Sequence, residues 1–244
     1  MFEFFRRKIE EPENKEVPDQ VPFNKLDKVG EGKYFEVHLP IDDPGLVVKR
    51  ARTRWADPEN EGVHPLADLE RIKTDIEILK DNFGDFIPDS QLVVGKNQQG
   101  EKTVYIIQDR IIGQDLGSLK FDESVNEQLK SFLEKCLDIY IKNLVYYGDN
   151  TQPKSLTLDL KGENFIFGTD KKKNNGNRLY FIDTYPVEGS TPSEFIRGLD
   201  FESFTFSGFW VRTILDFKRA AEIKMGEYLE KNRGSIPRIP SVPA

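Results

Sequence analysis

The division of the chain into a strand-rich first half and a helix-rich second half constrains its fold more than any other feature of the sequence. Strands are expected at 25–30, 35–39, 45–50, 91–95 and 103–108, each rich in Val, Ile, Tyr or Phe and bounded by Gly, Pro or Asn. One helix interrupts them. Leu69, Ile72, Ile76 and Leu79 recur at helical spacing, while Glu70, Lys73, Glu77 and Lys80 cover the other face. A long helix is expected over 122–147, with Leu129, Phe132, Leu133, Cys136, Leu137 and Tyr140 on its inner side. Phe165–Gly168 and Leu179–Asp183 flank a polar turn, Lys171–Asn177, and so read as a hairpin; further helices are expected at 192–204 and 208–232. Elements segregated in this order imply an α+β fold of two lobes. The boundaries drawn from this pattern are a polar leader over 1–22, a first lobe over 23–112, a second over 113–232 and a Pro-rich tail over 233–244.

Composition narrows what such a chain can do. Of 244 residues, 37% are hydrophobic and 32% charged, with 18 Phe and 8 Tyr, which is the composition of a chain that buries a core. The longest apolar runs, such as Thr103–Gln108 and Leu179–Ile182, are far too short to cross a bilayer. The first residues carry their charges after the apolar ones and no small-residue cleavage site follows, so a cytoplasmic location is expected. The single Cys136 fits a reducing compartment. A net charge of −7, with lysines scattered apart from Lys171–Lys173, offers no basic face to a phosphate backbone and argues against a nucleic-acid partner. His38 and His64 belong to no His/Cys cluster that would hold zinc.

The chemistry concentrates in Asp159-Leu-Lys161-Gly-Glu-Asn164, between the long helix and the hairpin. Phosphoryl transfer needs a carboxylate to orient the attacking hydroxyl and take its proton, and an oxygen donor for magnesium nearby. An Asp and an Asn on one short loop supply both. Lys161 adds positive charge where the transferred group develops negative charge. Asp183 ends the second hairpin strand, so hairpin pairing brings it back toward Asn164.

This block resembles the catalytic loop of protein Ser/Thr kinases and their relatives, D-L-K-P-E-N followed by the metal-binding Asp of D-F-G, with Gly162 in place of Pro. The resemblance implies a bilobal protein kinase-like fold, with an antiparallel sheet and one helix in the N-lobe and a small, mostly helical C-lobe. It also implies roles: Asp159 as catalytic base, Lys161 on the transferred phosphate, Asn164 and Asp183 as magnesium ligands. Gly30-Glu-Gly32-Lys-Tyr-Phe35-Glu-Val37 is similar to the glycine-rich loop over ATP phosphates, with Phe35 where the third glycine belongs. Gly45-Leu-Val47-Val-Lys49 is similar to the V-A-I-K strand, which puts Val47 on the adenine and Lys49 on the α and β phosphates. The acid expected to pair with Lys49 is Asp75 by spacing, with Glu77 and Glu70 as alternatives. Tyr105–Gly113 resembles the hinge, with Gln108 as gatekeeper, the Asp109 carbonyl and Ile111 amide on the adenine edge, and Ile166 below the purine opposite Val37 and Val47.

Departures from the family pattern shape the functional expectation. Thr157-Leu158 stands where kinases carry His-Arg or His and a small residue, Thr184-Tyr185-Pro186 stands where Phe-Gly would follow the Asp, and no A-P-E segment follows. The short stretch beyond Asp183 is more similar to RIO-type, aminoglycoside or choline kinases. The resemblance thus implies an ATP- and Mg2+-dependent transferase acting on a hydroxyl, on a protein Ser/Thr in preference to a small molecule. The alternative is a pseudokinase, a nucleotide- or partner-binding module.

Overall fold

The computed structural model describes residues 25–32, 35–52, 69–97, 100–142, 146–147, 155–173, 176–183, 188–190, 196, 199, 205–232, 234–236 and 238–239. The leader over 1–22 and most of the helix expected at 192–204 lie outside them.

Strands β1 (Leu26–Glu31), β2 (Phe35–Pro40), β3 (Leu46–Ala51), β4 (Ser90–Lys96) and β5 (Lys102–Asp109) form one antiparallel sheet in the order β1-β2-β3-β5-β4. All five lie within a residue or so of their sequence-predicted spans. Helix α1 (Leu69–Phe83) joins β3 to β4. Its Ile72 is buried against Phe35 and Ala51 of the first hairpin and against Val104 and Ile106 of the central strand β5. The apolar stripe of α1 therefore has one face of the sheet as its partner, which is what stabilises a helix of this length.

Strand β6 (Ile111–Asp115) leaves the sheet directly from β5 and joins the hairpin of β9 (Phe165–Asp170) and β10 (Arg178–Phe181), in the order β10-β9-β6. Helix α2 (Glu123–Lys142) is capped by Asp122, whose Oδ1 accepts the N–H of Ser124 at 2.9 Å and of Val125 at 3.1 Å. It ends before the expected residue 147. Tyr146–Tyr147 (β7) instead takes backbone partners in a parallel pair with Arg238–Ile239 (β12), two residues of the Pro-rich tail. The short pair β8 (Ser155–Thr157) and β11 (Glu188–Ser190) brackets the Asp159–Asp183 stretch, and α3 (Gly208–Asn232) packs on α2.

The larger core holds these pieces in register. Phe132 of α2 stands 5.1 Å from Phe165, 5.4 Å from Phe181 and 4.6 Å from Phe83 at the end of α1. All four rings are essentially fully buried. Two of them matter for position: Phe165 follows Asn164 directly, and Phe181 lies two residues before Asp183. The aromatic cluster, worth about 0.5–1.5 kcal/mol per ring pair beyond burial, therefore fixes the strand ends on which the candidate ligands sit.

The turn after β9 is clipped to the first sheet. Asp170 Oδ1 accepts the N–H of Lys172 at 2.9 Å and of Lys173 at 3.1 Å, which aims both lysines forward. Lys173 then meets Asp89 at 2.8 Å, Lys172 meets Asp43 at 3.7 Å, and Arg178 meets Asp85 at 3.1 Å. Lys173 and then Lys80 hold the Asp89 carboxyl below the usual carboxylate range. Each pair is exposed and weak alone, but all three span the same junction.

Gly113 of β6 and Gly168 of β9 face each other, and a Cβ on Gly168 would collide with the Ile112 carbonyl and stand 2.8 Å from Gly113 Cα. Gly168→Ala is expected to lower stability by about 1–3 kcal/mol in urea denaturation. Gly176→Ala in the adjoining turn, where nothing lies within 4 Å, should change it by less than about 0.5 kcal/mol.

Candidate active site

Asp159 and Lys161 alternate with Leu158 and Leu160 along the segment leading into β9. Both leucines are buried in the larger core, so the charged residues between them are turned outward. Lys161 Nζ lies 2.8 Å from Asp159 Oδ2, with side chains 41% and 37% exposed. A pair this accessible is worth about 1 kcal/mol or less, so an arriving anion can draw the ammonium away from the carboxylate.

Asn164 closes the turn Gly162–Asn164, its N–H bonded to the Lys161 carbonyl at 2.9 Å. Its Nδ2 donates to the Asp159 carbonyl at 2.8 Å and reaches Asp183 Oδ2 at 3.5 Å, which leaves Oδ1 as the acceptor end of the amide. The hairpin register is extended one step beyond Phe165–Phe181 by the Ile182 N–H, which donates to the Asn164 carbonyl at 2.9 Å. The next residue is Asp183. From the other lobe, Lys49 Nζ donates to the Ile182 carbonyl at 2.5 Å. Burial pushes the Lys49 ammonium below its ordinary value, and the negative charge of Asp183 pulls it partly back. Lys49, Asn164 and Asp183 are thus brought together, with the backbone carbonyl of Asp159 against the Asn164 amide.

The apolar candidates line the space beside it. Pairing of Val37 with Lys49, Lys49 with Ile106 and Val47 with Gln108 puts all five side chains on one face of the sheet, the face that α1 covers further along. Val37 and Val47 stay partly exposed, while Gln108 is buried and donates through Nε2 to Ser90 Oγ at 3.2 Å. Ile166 lies between Phe165 and Phe167 on β9, and since both phenylalanines pack into the core, Ile166 is directed to the opposite side.

The hinge is set by Arg110. Its N–H donates to the Gly45 carbonyl of the first lobe at 2.9 Å, and its carbonyl accepts the Lys171 N–H of the β9 turn at 3.0 Å. Backbone groups of successive extended residues point to opposite edges. The Asp109 carbonyl and the Ile111 N–H therefore share the edge that Arg110 does not use. Burial, and then repulsion from Asp170, pushes the Asp109 side chain above the usual carboxylate range, against the pull of Lys173.

The ion pair expected between Lys49 and an acid of α1 does not form. Glu70 and Glu77 are exposed, and Asp75 is buried on the sheet-facing side of the helix, but the acid acting on Lys49 is Asp183. The apolar cluster of Phe35, Ile72 and Ile106 fills the space between sheet and helix, and an Asp reaches about one methylene less than a Glu. Phe35, at the third-glycine position, is thus a core residue, 7% exposed. Gly32 donates to the Phe35 carbonyl at 2.8 Å and closes the hairpin. A Cβ on Gly30 or Gly32 would meet nothing closer than 3.8 Å. Packing against the described residues does not demand glycine at either place.

A five-stranded antiparallel sheet with one helix, a hinge strand, a long helix, and a loop and hairpin that return Asn164 and Asp183 to the sheet's lysine decide the architecture. The fold is protein kinase-like. No protein-family model matches the sequence, and no curated protein does. Among solved structures the chain is similar to a GDP complex of an aminoglycoside 2′-phosphotransferase, at 14% identity and a TM-score of 0.49, covering 86% of this chain and 81% of that one. It is also similar to an APH(2″) enzyme in complex with GDP and kanamycin, at 12% identity and a TM-score of 0.45, covering 86% and 82%. A third similarity is to Rad53 in complex with AMP-PNP, at 12% identity and a TM-score of 0.43, covering 87% of this chain but 52% of that one.

Three parts of the site left no mark in the sequence. The partner of Lys49 is a backbone carbonyl, and the bridge between lobes is the backbone of Arg110; neither depends on side-chain type. Asp115, directly across from Ile166, adds a partly buried carboxylate whose Oδ2 accepts the Ser118 hydroxyl at 3.0 Å. Its position follows only from the β6–β9 register.

Burying the Lys49 ammonium costs stability that its hydrogen bond to the Ile182 carbonyl and the charge of Asp183 offset in part. Lys49→Met is therefore expected to hold or raise the unfolding free energy of the ligand-free protein at neutral pH. Because the folded-state pKa lies below 10.5, the unfolded chain holds the extra proton, and wild-type stability should gain on the variant as pH rises toward that value. Denaturant titrations of both proteins from pH 7 to 10.5 check the sign. A variant that loses more than about 2 kcal/mol at neutral pH would identify the ammonium as a net structural tie.

Proposed function

We propose that this chain is a phosphotransferase that moves the γ-phosphoryl group of ATP, with magnesium, to a hydroxyl. The observation that carries the reading is the convergence of Lys49, Asp159, Asn164 and Asp183, drawn from both lobes and joined through Ile182. The apolar walls Val37, Val47 and Ile166 accommodate a purine, whose edge would meet the Asp109 carbonyl and Ile111 N–H. Among the described residues no side-chain or backbone atom lies closer than 3.8 Å to a Cβ placed on Gly30 or Gly32, so packing alone does not call for glycine there. Close approach of backbone amides to phosphates supplies a reason.

The donor set fits magnesium. The ion takes hard oxygen ligands and keeps waters and substrate phosphates in most of its positions, so Asn164 Oδ1 and the Asp183 carboxylate suffice. Among the described residues no group of three or more His, Cys, Asp or Glu is arranged to hold a metal alone. When bound, magnesium neutralises charge on the β and γ phosphates.

In the step itself the bond from the γ phosphorus to the nucleoside diphosphate oxygen breaks and a bond to the acceptor oxygen forms. The acceptor proton passes to the Asp159 carboxylate. Lys161, released from Asp159, balances charge on the transferred group, and Lys49 steadies the remaining phosphates. The lysine two residues after Asp159 favours a protein Ser/Thr acceptor over a small molecule. Magnesium use, acceptor class and the lobe boundaries near 112 and 232 stand with this reading. Among the described residues no helix is long and apolar enough to cross a membrane; a cytoplasmic location is part of the proposal.

A second reading, a pseudokinase, draws on Phe35 in the core beneath the glycine loop and on the Lys49 ion pair that α1 does not complete. One assay separates the two. Asp159→Asn should lower transfer of labelled phosphate from ATP by roughly 10²–10⁴-fold while magnesium-dependent ATP affinity stays within about threefold. Wild-type protein that binds magnesium–ATP but labels neither itself, generic proteins nor small hydroxyl compounds would sink the enzyme reading in favour of the second.

A further inference from the structure

We propose that Thr205 is a positioning residue for the catalytic loop, holding the turn that carries Lys161 and Asn164 by accepting the Gly162 N–H; this rests on the phosphotransferase reading above. The loop pattern this sequence resembles has proline at the position of Gly162, and proline has no N–H to place. Glycine restores that donor. Gly162 is buried, so its N–H left without a partner would carry the desolvation penalty of an unpaired donor. Thr205 Oγ1 takes the hydrogen bond at 2.8 Å, across 43 residues of sequence.

Close packing makes the contact specific. A Cβ at position 162 would stand 2.6 Å from the Thr205 carbonyl oxygen, 3.0 Å from Gly117 N and 3.1 Å from Phe206 Cα. Only glycine lets the Thr205 backbone lie against the loop. The same three segments are joined again close by. Leu116 N–H donates to the Gly162 carbonyl at 3.1 Å and to the Phe165 carbonyl at 3.0 Å, and Ser207 N–H donates to the Leu116 carbonyl at 3.0 Å. Ser207 Oγ and Trp210 Nε1 both donate to the Leu119 carbonyl at 2.9 Å, which roots the start of α3 beside the hinge exit. Thr205 thus connects the base of α3 to the peptide between Lys161 and Gly162. Thr157-Leu158 stands where the resembled pattern has His-Arg, and the loop takes this hydrogen bond from Thr205.

The role predicts a separation of effects, because Thr205 bonds the turn at Gly162, whereas the nucleotide candidates stand on β2, β3 and the hinge. In the full chain, Thr205→Val keeps the shape and removes the acceptor, whereas Thr205→Ser keeps the acceptor. We expect Thr205→Val to lower kcat by about 10- to 100-fold with KM for ATP within about threefold, and Thr205→Ser to stay within about threefold of wild type in both. The Gly162 amide should exchange with deuterium faster in Thr205→Val and at the wild-type rate in Thr205→Ser. If Thr205→Val does not fold, Thr205→Ala carries the same comparison. Wild-type kcat in the acceptor-less variant, an equal loss in the Ser variant, or unchanged Gly162 exchange would each overturn the role. A wild-type protein with no phosphotransfer overturns the enzyme reading instead, and the exchange measurement tells that failure apart from failure of the hydrogen bond.

Discussion

The backbone of Ile182 is the junction on which the site depends. Its N–H holds the Asn164 carbonyl and its carbonyl holds the Lys49 ammonium, so one peptide segment joins the Asp159–Asn164 loop, the end of the hairpin and the sheet of the other lobe. Asp183 follows directly and contributes the charge that keeps Lys49 from shedding more of its proton affinity. That geometry is in turn only as firm as the aromatic packing beneath it. Phe165 and Phe181 pair across the hairpin and meet Phe132 of α2, and the strand ends inherit their positions from those rings.

Around this junction the two lobes are tied in two different ways. Arg110 gives one backbone hydrogen bond to each lobe, a rigid connection at the hinge. Lys172, Lys173 and Arg178 give exposed ion pairs, which salt screens and which cost little to break. The backbone contacts of Arg110 are the firmer of these ties, and the exposed ion pairs the softer. The aromatic end of α1 adds a third link, since Phe83 sits in the core of the other lobe, so the helix cannot swing without disturbing that packing.

Much of this was legible in the residues. The strands of the first sheet, α1, the hairpin and the last helix follow from β-rich segments, helical periodicity and turn residues, because each buries a face that the pattern itself marks. Asp159, Lys161, Asn164 and Asp183 stand out because their spacing matches what phosphoryl transfer requires. The end of α2 was not legible: a partner strand more than ninety residues away, Arg238–Ile239, takes Tyr146–Tyr147 out of the helix. The Lys49–Asp75 pair failed for a related reason. Spacing along α1 can choose which acid faces the sheet, but not how much apolar bulk, here Phe35 and Ile72, stands between.

The sequence by itself determined which residues carry charge or lone pairs and in what order they come, since local propensity and side-chain chemistry need no third dimension. Tertiary structure alone decided their partners. A backbone carbonyl accepts from Lys49, Arg110 bridges the lobes through its peptide groups, and Thr205 meets Gly162 from 43 positions away. Backbone donors and acceptors are the same on nearly every residue, so no reading of side chains reveals which ones the fold will bring face to face.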